Sequence, residues 1–240
     1  MIRTPVRAIL SPAPALRMSF LLRRYAPRLP FVAVLPVGVV LWLMQCAPTP
    51  RHPDAPAMAR EAPAMYRVRV ETSKGPILVE AHREWAPHGA DRFYNLVRAG
   101  YYDDSRFFRV VKRQWVQFGI NGDPKIAALW RDRTIPDDPR KQSNRRGMVA
   151  FAFARADGRT TQVFISLRDN SNLDAEGFAP FGEVVGGMDS ADALNTEYGE
   201  TSGGGIRAGN QQPLFDGGNA YLDREYPRLD RLFRARIIAR

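Results

Sequence analysis

Arg106-Phe107-Phe108-Arg109-Val110-Val111, followed by Gln117-Phe118-Gly119 and Gly122-Asp123-Pro124, is the stretch from which the fold is read outward. Phe107–Val111 is a short apolar run of strand character, and Met148–Ala154, Gln162–Leu167 and Phe178–Val185 are three more, with Gly and Asp in the gaps. Upstream, Tyr66, Val68 and Val70 alternate with Arg67, Arg69 and Glu71, the period of a half-buried strand. Ser73-Lys74-Gly75-Pro76 turns the chain and Ile77 to Ala81 returns, which predicts a hairpin. Pro87 suits the first turn of a helix; Ala90, Phe93, Leu96 and Val97 share one helical face, and Gly100 ends it. Ser190–Tyr198 is predicted as a second helix, residues 199–220 as a long loop around Gly203-Gly204-Gly205, and Leu232–Ile238 as a closing strand. Short strands with a helix near each end predict a closed antiparallel barrel.

The chain has 240 residues, 45% apolar and 25% charged, enough for a core that needs no disulfide or metal. Cys46 is the single cysteine, so no intramolecular disulfide or cysteine cluster can form. His52, His82 and His88 show no ligand spacing, which argues against zinc. The net charge of +10 suggests nucleic acid, but eight arginines against Asp54 and Glu61 place most of the excess in residues 1–64. The mild surplus that remains reads as solvated surface, so no nucleic acid is expected.

Residues 1–46 read as a membrane-targeting segment. Arg23, Arg24 and Arg28 precede the uncharged run Phe31–Met44, a basic and then apolar order that fits a secretory signal starting at Met18. The run is short for a membrane span. Leu43-Met44-Gln45-Cys46 resembles a bacterial lipoprotein signal: Leu43 fits, Gln45 departs from the small residue usual there, and Cys46 is the lipidation candidate. A signal anchor or a plain secretory cut are the alternatives. All three imply export to the periplasm or cell envelope, and the lipid or an uncleaved segment adds a membrane partner. Residues 47–64, rich in Pro and Ala, read as a linker, and 65–240 as the domain.

A second block reads Gly147-Met148-Val149-Ala150-Phe151-Ala152, then Thr161-Gln162-Val163-Phe164-Ile165-Ser166, Leu173-Asp174 and Phe181-Gly182-Glu183-Val184. With the opening block, the Thr72-Ser73-Lys74-Gly75 turn and Phe93-Tyr94-Asn95-Leu96, the order and spacing resemble the cyclophilin family of peptidyl-prolyl cis-trans isomerases from about 66 to 238. The resemblance implies a mainly β fold, a closed eight-stranded antiparallel β-barrel capped by two α-helices. It implies a groove for proline-containing polypeptides, X-Pro isomerisation without cofactor, metal or covalent intermediate, and a monomer.

Rotation about X-Pro must break partial double-bond character, and a donor aimed at the proline nitrogen stabilises the twisted state over the planar one. Arg109 matches the family's catalytic arginine; in isolation it reads as a surface residue on a strand. Gln117 and Gln162 match the groove glutamines, and each could instead face solvent. Phe164 matches the floor of the proline pocket and Leu173 its wall, although by pattern alone Phe164 is plain core. Trp115 stands where methionine is usual. Ala152 and Ala154 fall where the substrate backbone passes, with Phe153 replacing a common asparagine. Gln114 replaces a pocket phenylalanine, Asn172 a tryptophan, and Phe178 aligns roughly with a groove histidine, departures that put cyclosporin sensitivity in doubt. The rival class is a proline-segment binder with little turnover, which Gln114 favours and Arg109 opposes. Gly203-Gly204-Gly205 lacks the lysine and preceding strand of a phosphate loop and reads as surface. Asp137-Asp138 reads as a solvated turn or part of a loop beside the groove, and no serine-hydrolase elbow is present.

Overall fold

A computed structural model describes residues 52–238; the leader, with Cys46, lies outside the described residues. Nine strands form one antiparallel sheet: β1 (Met65–Thr72), β2 (Gly75–His82), β3 (Ser105–Arg106), β4 (Arg109–Val111), β5 (Trp115–Phe118), β6 (Met148–Phe151), β7 (Val163–Ser166), β8 (Pro180–Gly186) and β9 (Arg231–Ile238). They are ordered β3-β9-β1-β2-β8-β6-β7-β5-β4. The two outermost strands, β3 and β4, are separated in sequence only by Phe107 and Phe108, so the sheet curls until its edges meet. Eight strands were expected; the strand expected at Phe107–Val111 shortens to β4, and the two-residue β3 just before it was not foreseen.

Alternation sets the faces. Tyr66, Val68 and Val70 of β1 point inward and are buried, and β1 pairs residue for residue with β2, from Met65 opposite His82 to Thr72 opposite Gly75. Helix α1 (Pro87–Arg98) buries Ala90, Phe93, Leu96 and Val97 at one end of the barrel. Phe93 meets Tyr102 and Phe181, and Phe118 meets Tyr102 and Phe107, so the core is largely aromatic.

Several expectations are corrected. Asp138 is buried, not solvated: its carboxylate accepts the main-chain N–H groups of His88 at 2.9 Å and Gly89 at 2.8 Å, which caps α1 where Ala86 has no side chain to do so. The expected helix at 190–198 shrinks to α3 (Met188–Asp192), while a short α2 (Pro124–Trp130) was not foreseen. Residues 199–220 are not a plain loop. Two 3-10 turns lead into α4 (Gln212–Glu225), which breaks its helical geometry at Gly218 and buries Leu214, Phe215 and Leu222 in a second cluster with Phe108 and Ile120. The strand expected over Met148–Ala154 stops at Phe151. Part of the expected linker is docked: Ala62 N–H donates to Asp91 at 2.8 Å, and Asn95 donates to Arg60 O at 2.7 Å. Among the described residues no helix is long and apolar enough to cross a membrane.

Candidate active site

The register carries the site. Arg109 of β4 lies opposite Gln117 of β5, Gln117 opposite Phe164 of β7, and Phe164 opposite Ala150 of β6. One row across four adjacent strands therefore delivers an arginine, a glutamine and an aromatic ring to a single groove of about 870 Å³. Strand β5 was not read from the sequence. Gln114 and Gln117 hide its apolar character, and it enters from a tight turn at Arg113, whose φ is 58°.

All ten groove residues singled out in the sequence line this one groove: Arg109, Gln114, Trp115, Gln117, Ala152, Ala154, Gln162, Phe164, Leu173 and Phe178. Phe164 and Leu173 pack with Ala150 in a small apolar cluster separate from the barrel core, and Trp115, Ala152 and Phe178 close around it. Phe178 stands edge-on to Phe164, with centroids 5.5 Å apart, and tilts against Phe153 at 4.4 Å. Phe153 and Phe178 thus supply apolar wall beside the polar Gln114.

The polar side is a chain of side-chain hydrogen bonds. Arg109 Nη1 donates to Gln117 Oε1 at 2.8 Å, and Gln117 Nε2 donates to Gln162 Oε1 at 2.8 Å. Arg109 also stacks over Trp115, 5.1 Å from the ring centroid. Gln117 is buried, so its amide is held by these two partners.

The walls are braced from behind. Asp174, next to Leu173, accepts from Ser143 Oγ at 2.6 Å and from Asn144 N and Nδ2 at 2.9 and 2.8 Å; Asn144 Nδ2 also donates to Phe178 O. Burial raises the Asp174 carboxyl, but the hydrogen bonds from Ser143 and Asn144 outweigh it and hold it below the ordinary carboxylate value. Arg159, buried behind Phe153 at 4.4 Å, is anchored by Asp137 and by Gly177 O.

The sequence reading missed the segment after Tyr198. Glu200 contacts Arg109, Gln211 contacts Gln162, and Arg207, Gln211 and Phe215 line the groove. The spacing Leu214, Phe215, Leu222 after Pro213 is a helix signal that could have found α4, and with it Gln211 at its start; Gly217-Gly218 obscured it. Away from the groove, Glu80, His82 and Glu183 bring ligand-type atoms within 4.8 Å of one another, a juxtaposition their sequence spacing did not suggest. There Glu80 is already engaged by Arg67 at 2.7 Å and His82 is stacked on Trp85 at 4.0 Å, so the group reads as an ion-pair patch.

Comparison with known proteins gives the same picture. The family model "Cyclophilin type peptidyl-prolyl cis-trans isomerase/CLD" matches residues 67–214. A peptidyl-prolyl cis-trans isomerase of Acinetobacter baylyi is 31% identical over 146 residues, covering 57% of this chain and 76% of that protein. Peptidyl-prolyl cis-trans isomerase A of Dickeya dadantii is 32% identical over 155 residues, covering 62% of this chain and 80% of that protein. The crystal structure of a cyclophilin-type isomerase from Cryptosporidium parvum superposes with a TM-score of 0.54 at 17% identity, over 73% of this chain and 99% of that one, which is a likeness of fold. The same protein was also solved in the presence of the dipeptide Ala-Pro. The curled sheet, the groove row and the matched family model agree: this chain belongs to the cyclophilin-type peptidyl-prolyl cis-trans isomerase family.

Proposed function

We propose that the chain catalyses cis–trans isomerisation of X-Pro bonds in exported polypeptides, working at the cell envelope behind its N-terminal leader. The observation that carries the chemistry is the placement of Arg109 and Gln117 beside an apolar floor made by Phe164 and Leu173. A proline ring fits an apolar cleft, and its transfer from water supplies binding. The barrier is roughly 18–20 kcal/mol because rotation destroys amide resonance. As the bond twists, the proline nitrogen regains a lone pair and can accept a hydrogen bond that it cannot accept when planar. The Arg109 guanidinium stays protonated and offers N–H groups to that nitrogen. Such a bond strengthens only toward the transition state, so it raises the rate and not merely the affinity. Each tenfold corresponds to about 1.4 kcal/mol, so one well-aimed charged donor accounts for roughly two or three decades.

The test is isomerisation of an X-Pro peptide in the cold by the full-length protein beside Arg109→Ala. The wild type is expected to accelerate exchange, and Arg109→Ala to lose about a hundredfold or more. A second reading, a proline-segment binder, is favoured by Gln114 on the groove wall; peptide binding without any acceleration would establish it in place of the enzyme. Export rests on the charge and hydropathy order of residues 18–46. Mass spectrometry of the native N-terminus tests it: a lipidated Cys46, a secretory cut nearby or a membrane-held uncleaved segment each fits export, and an unprocessed Met1 or Met18 in a cytosolic fraction would reject the envelope location.

A further inference from the structure

Arg109 does not stand alone in the groove. Its Nε donates to Glu200 Oε2 at 2.7 Å and its Nη2 to Glu200 Oε1 at 2.9 Å, a side-on, two-bond grip, while Nη1 goes to Gln117. A guanidinium has five N–H groups, so one on Nη1 and one on Nη2 remain for a substrate. The Arg109 side chain is 12% exposed and that of Glu200 30%, so the grip is partly open to solvent.

The chain around Glu200 is shaped to this contact. Its carbonyl accepts N–H groups from Gly203 at 3.0 Å and Gly205 at 2.9 Å, which folds the loop into a tight knot. Gly203 is buried against the arginine stem: a Cβ there would stand 2.7 Å from Arg109 Cβ and 2.8 Å from its Cδ. Gly204 has φ +98°, and a Cβ there would stand 2.4 Å from Asn210 O, so only glycine turns the chain back toward the groove. The turn delivers Gln211, whose Oε1 accepts from Gln162 Nε2 at 2.8 Å and whose Nε2 donates to Gly203 O at 3.4 Å. The hydrogen bonds therefore run from Glu200 through Arg109, Gln117, Gln162 and Gln211 back to the glycine turn.

We propose that Glu200 is a positioning residue for Arg109, and that residues 200–211 are a working part of the site, not a surface loop. The inference rests on the isomerase reading above. Glu200 acts through Arg109: it takes the side-on edge of the guanidinium and leaves the two remaining Nη N–H groups for the proline nitrogen. Arginine is long and rotamer-rich, and a donor misplaced by about 1 Å costs on the order of a hundredfold in rate. The carboxylate also offsets part of the positive charge, but in a groove open to water that opposition is screened, so orientation dominates.

Full-length protein carrying Glu200→Gln tests this, with Glu200→Asp and Arg109→Ala alongside. Glu200→Gln is expected to lower kcat about tenfold, which is ~1.4 kcal/mol of barrier, with KM for the X-Pro peptide within about twofold. Glu200→Asp, which restores the charge, is expected to recover part of the loss. The Arg109 Nε–H resonance should lose its ion-paired shift in Glu200→Gln while the melting temperature holds, a combination that a scaffold defect would not give. If the wild type is active and Glu200→Gln matches or exceeds it, the positioning role is overturned and the isomerase reading stands. If the wild type does not accelerate exchange, both fall together.

Discussion

Replacing Arg109 with lysine would keep the charge and remove the fork. One ammonium has three donors about a single point, so it cannot grip Glu200 side-on, hold Gln117 and still face a twisted proline nitrogen. Arg109→Lys is therefore expected to lower kcat about tenfold to a hundredfold with little change in peptide affinity or melting temperature. Steady-state isomerisation with a parallel binding titration checks it; activity near that of the wild type would mean that charge alone suffices and that aim is irrelevant. At this scale legibility followed chemistry. Arg109, Gln117 and Phe164 stood out because they fall in ordered blocks, and the register then set them in one row. Glu200 did not, because an acid beside glycines reads as solvated until the fold carries it 91 positions back along the sequence to Arg109. Asp138 was hidden for the same reason, since its partners lie 50 and 49 positions away.

Among the elements, strands marked by alternation or by an apolar run were legible and those assembled from polar or very short segments were not. β1 was read from its alternation and β6, β7 and β8 from apolar runs, whereas β5 carries Gln117 inward and β3 holds two residues. Helix α1 was visible from Pro87 and its apolar face, but its N-terminal cap lies outside the helix sequence. The first turn leaves N–H groups of His88 and Gly89 pointing at Asp138, and a carboxylate there also complements the helix dipole. Asp138→Ala is expected to destabilise the protein by about 1–2 kcal/mol, lowering Tm by roughly 2–6 °C, with the groove chemistry intact. Calorimetry beside the isomerase assay separates the two readouts. An unchanged Tm would show that water replaces the carboxylate without cost; lost activity at unchanged Tm would move Asp138 from the helix cap to the site.

For the whole molecule, the aromatic core sets the limit of stability at high pH. Burial pushes the Tyr101 phenol up to about 12. It raises Tyr102 well above the ordinary value, and it does the same to Tyr66, where Asp91 and Tyr94 add to the effect. Tyr101 and Tyr102 meet at Thr161, through its hydroxyl at 3.3 Å and its carbonyl at 3.1 Å, and Tyr66 donates to Ala90 O at 2.7 Å. Below about pH 10 these phenols are protonated in both folded and unfolded chains and contribute no pH dependence. Above it the unfolded chain releases protons that the native state keeps, so the unfolded state binds fewer protons and stability falls as pH rises. Each buried tyrosine adds about 1.4 kcal/mol per pH unit to that slope until its own folded value is reached. Tyr101 alone, from about 10 to about 12, amounts to roughly 3 kcal/mol, and Tyr102 and Tyr66 act in the same direction. Burial pulls the Arg92 guanidinium down to about 10, a shift of the opposite sign that offsets part of one tyrosine's contribution and leaves the net slope downward. The urea midpoint is therefore expected to be flat from about pH 8 to 10 and to fall steeply above. Tyr101→Phe, which keeps the ring and deletes the phenol, should make the fall shallower by about one proton. A midpoint that stays level to about pH 11.5 would mean that water reaches these phenols and that the aromatic core is not sealed as its burial indicates.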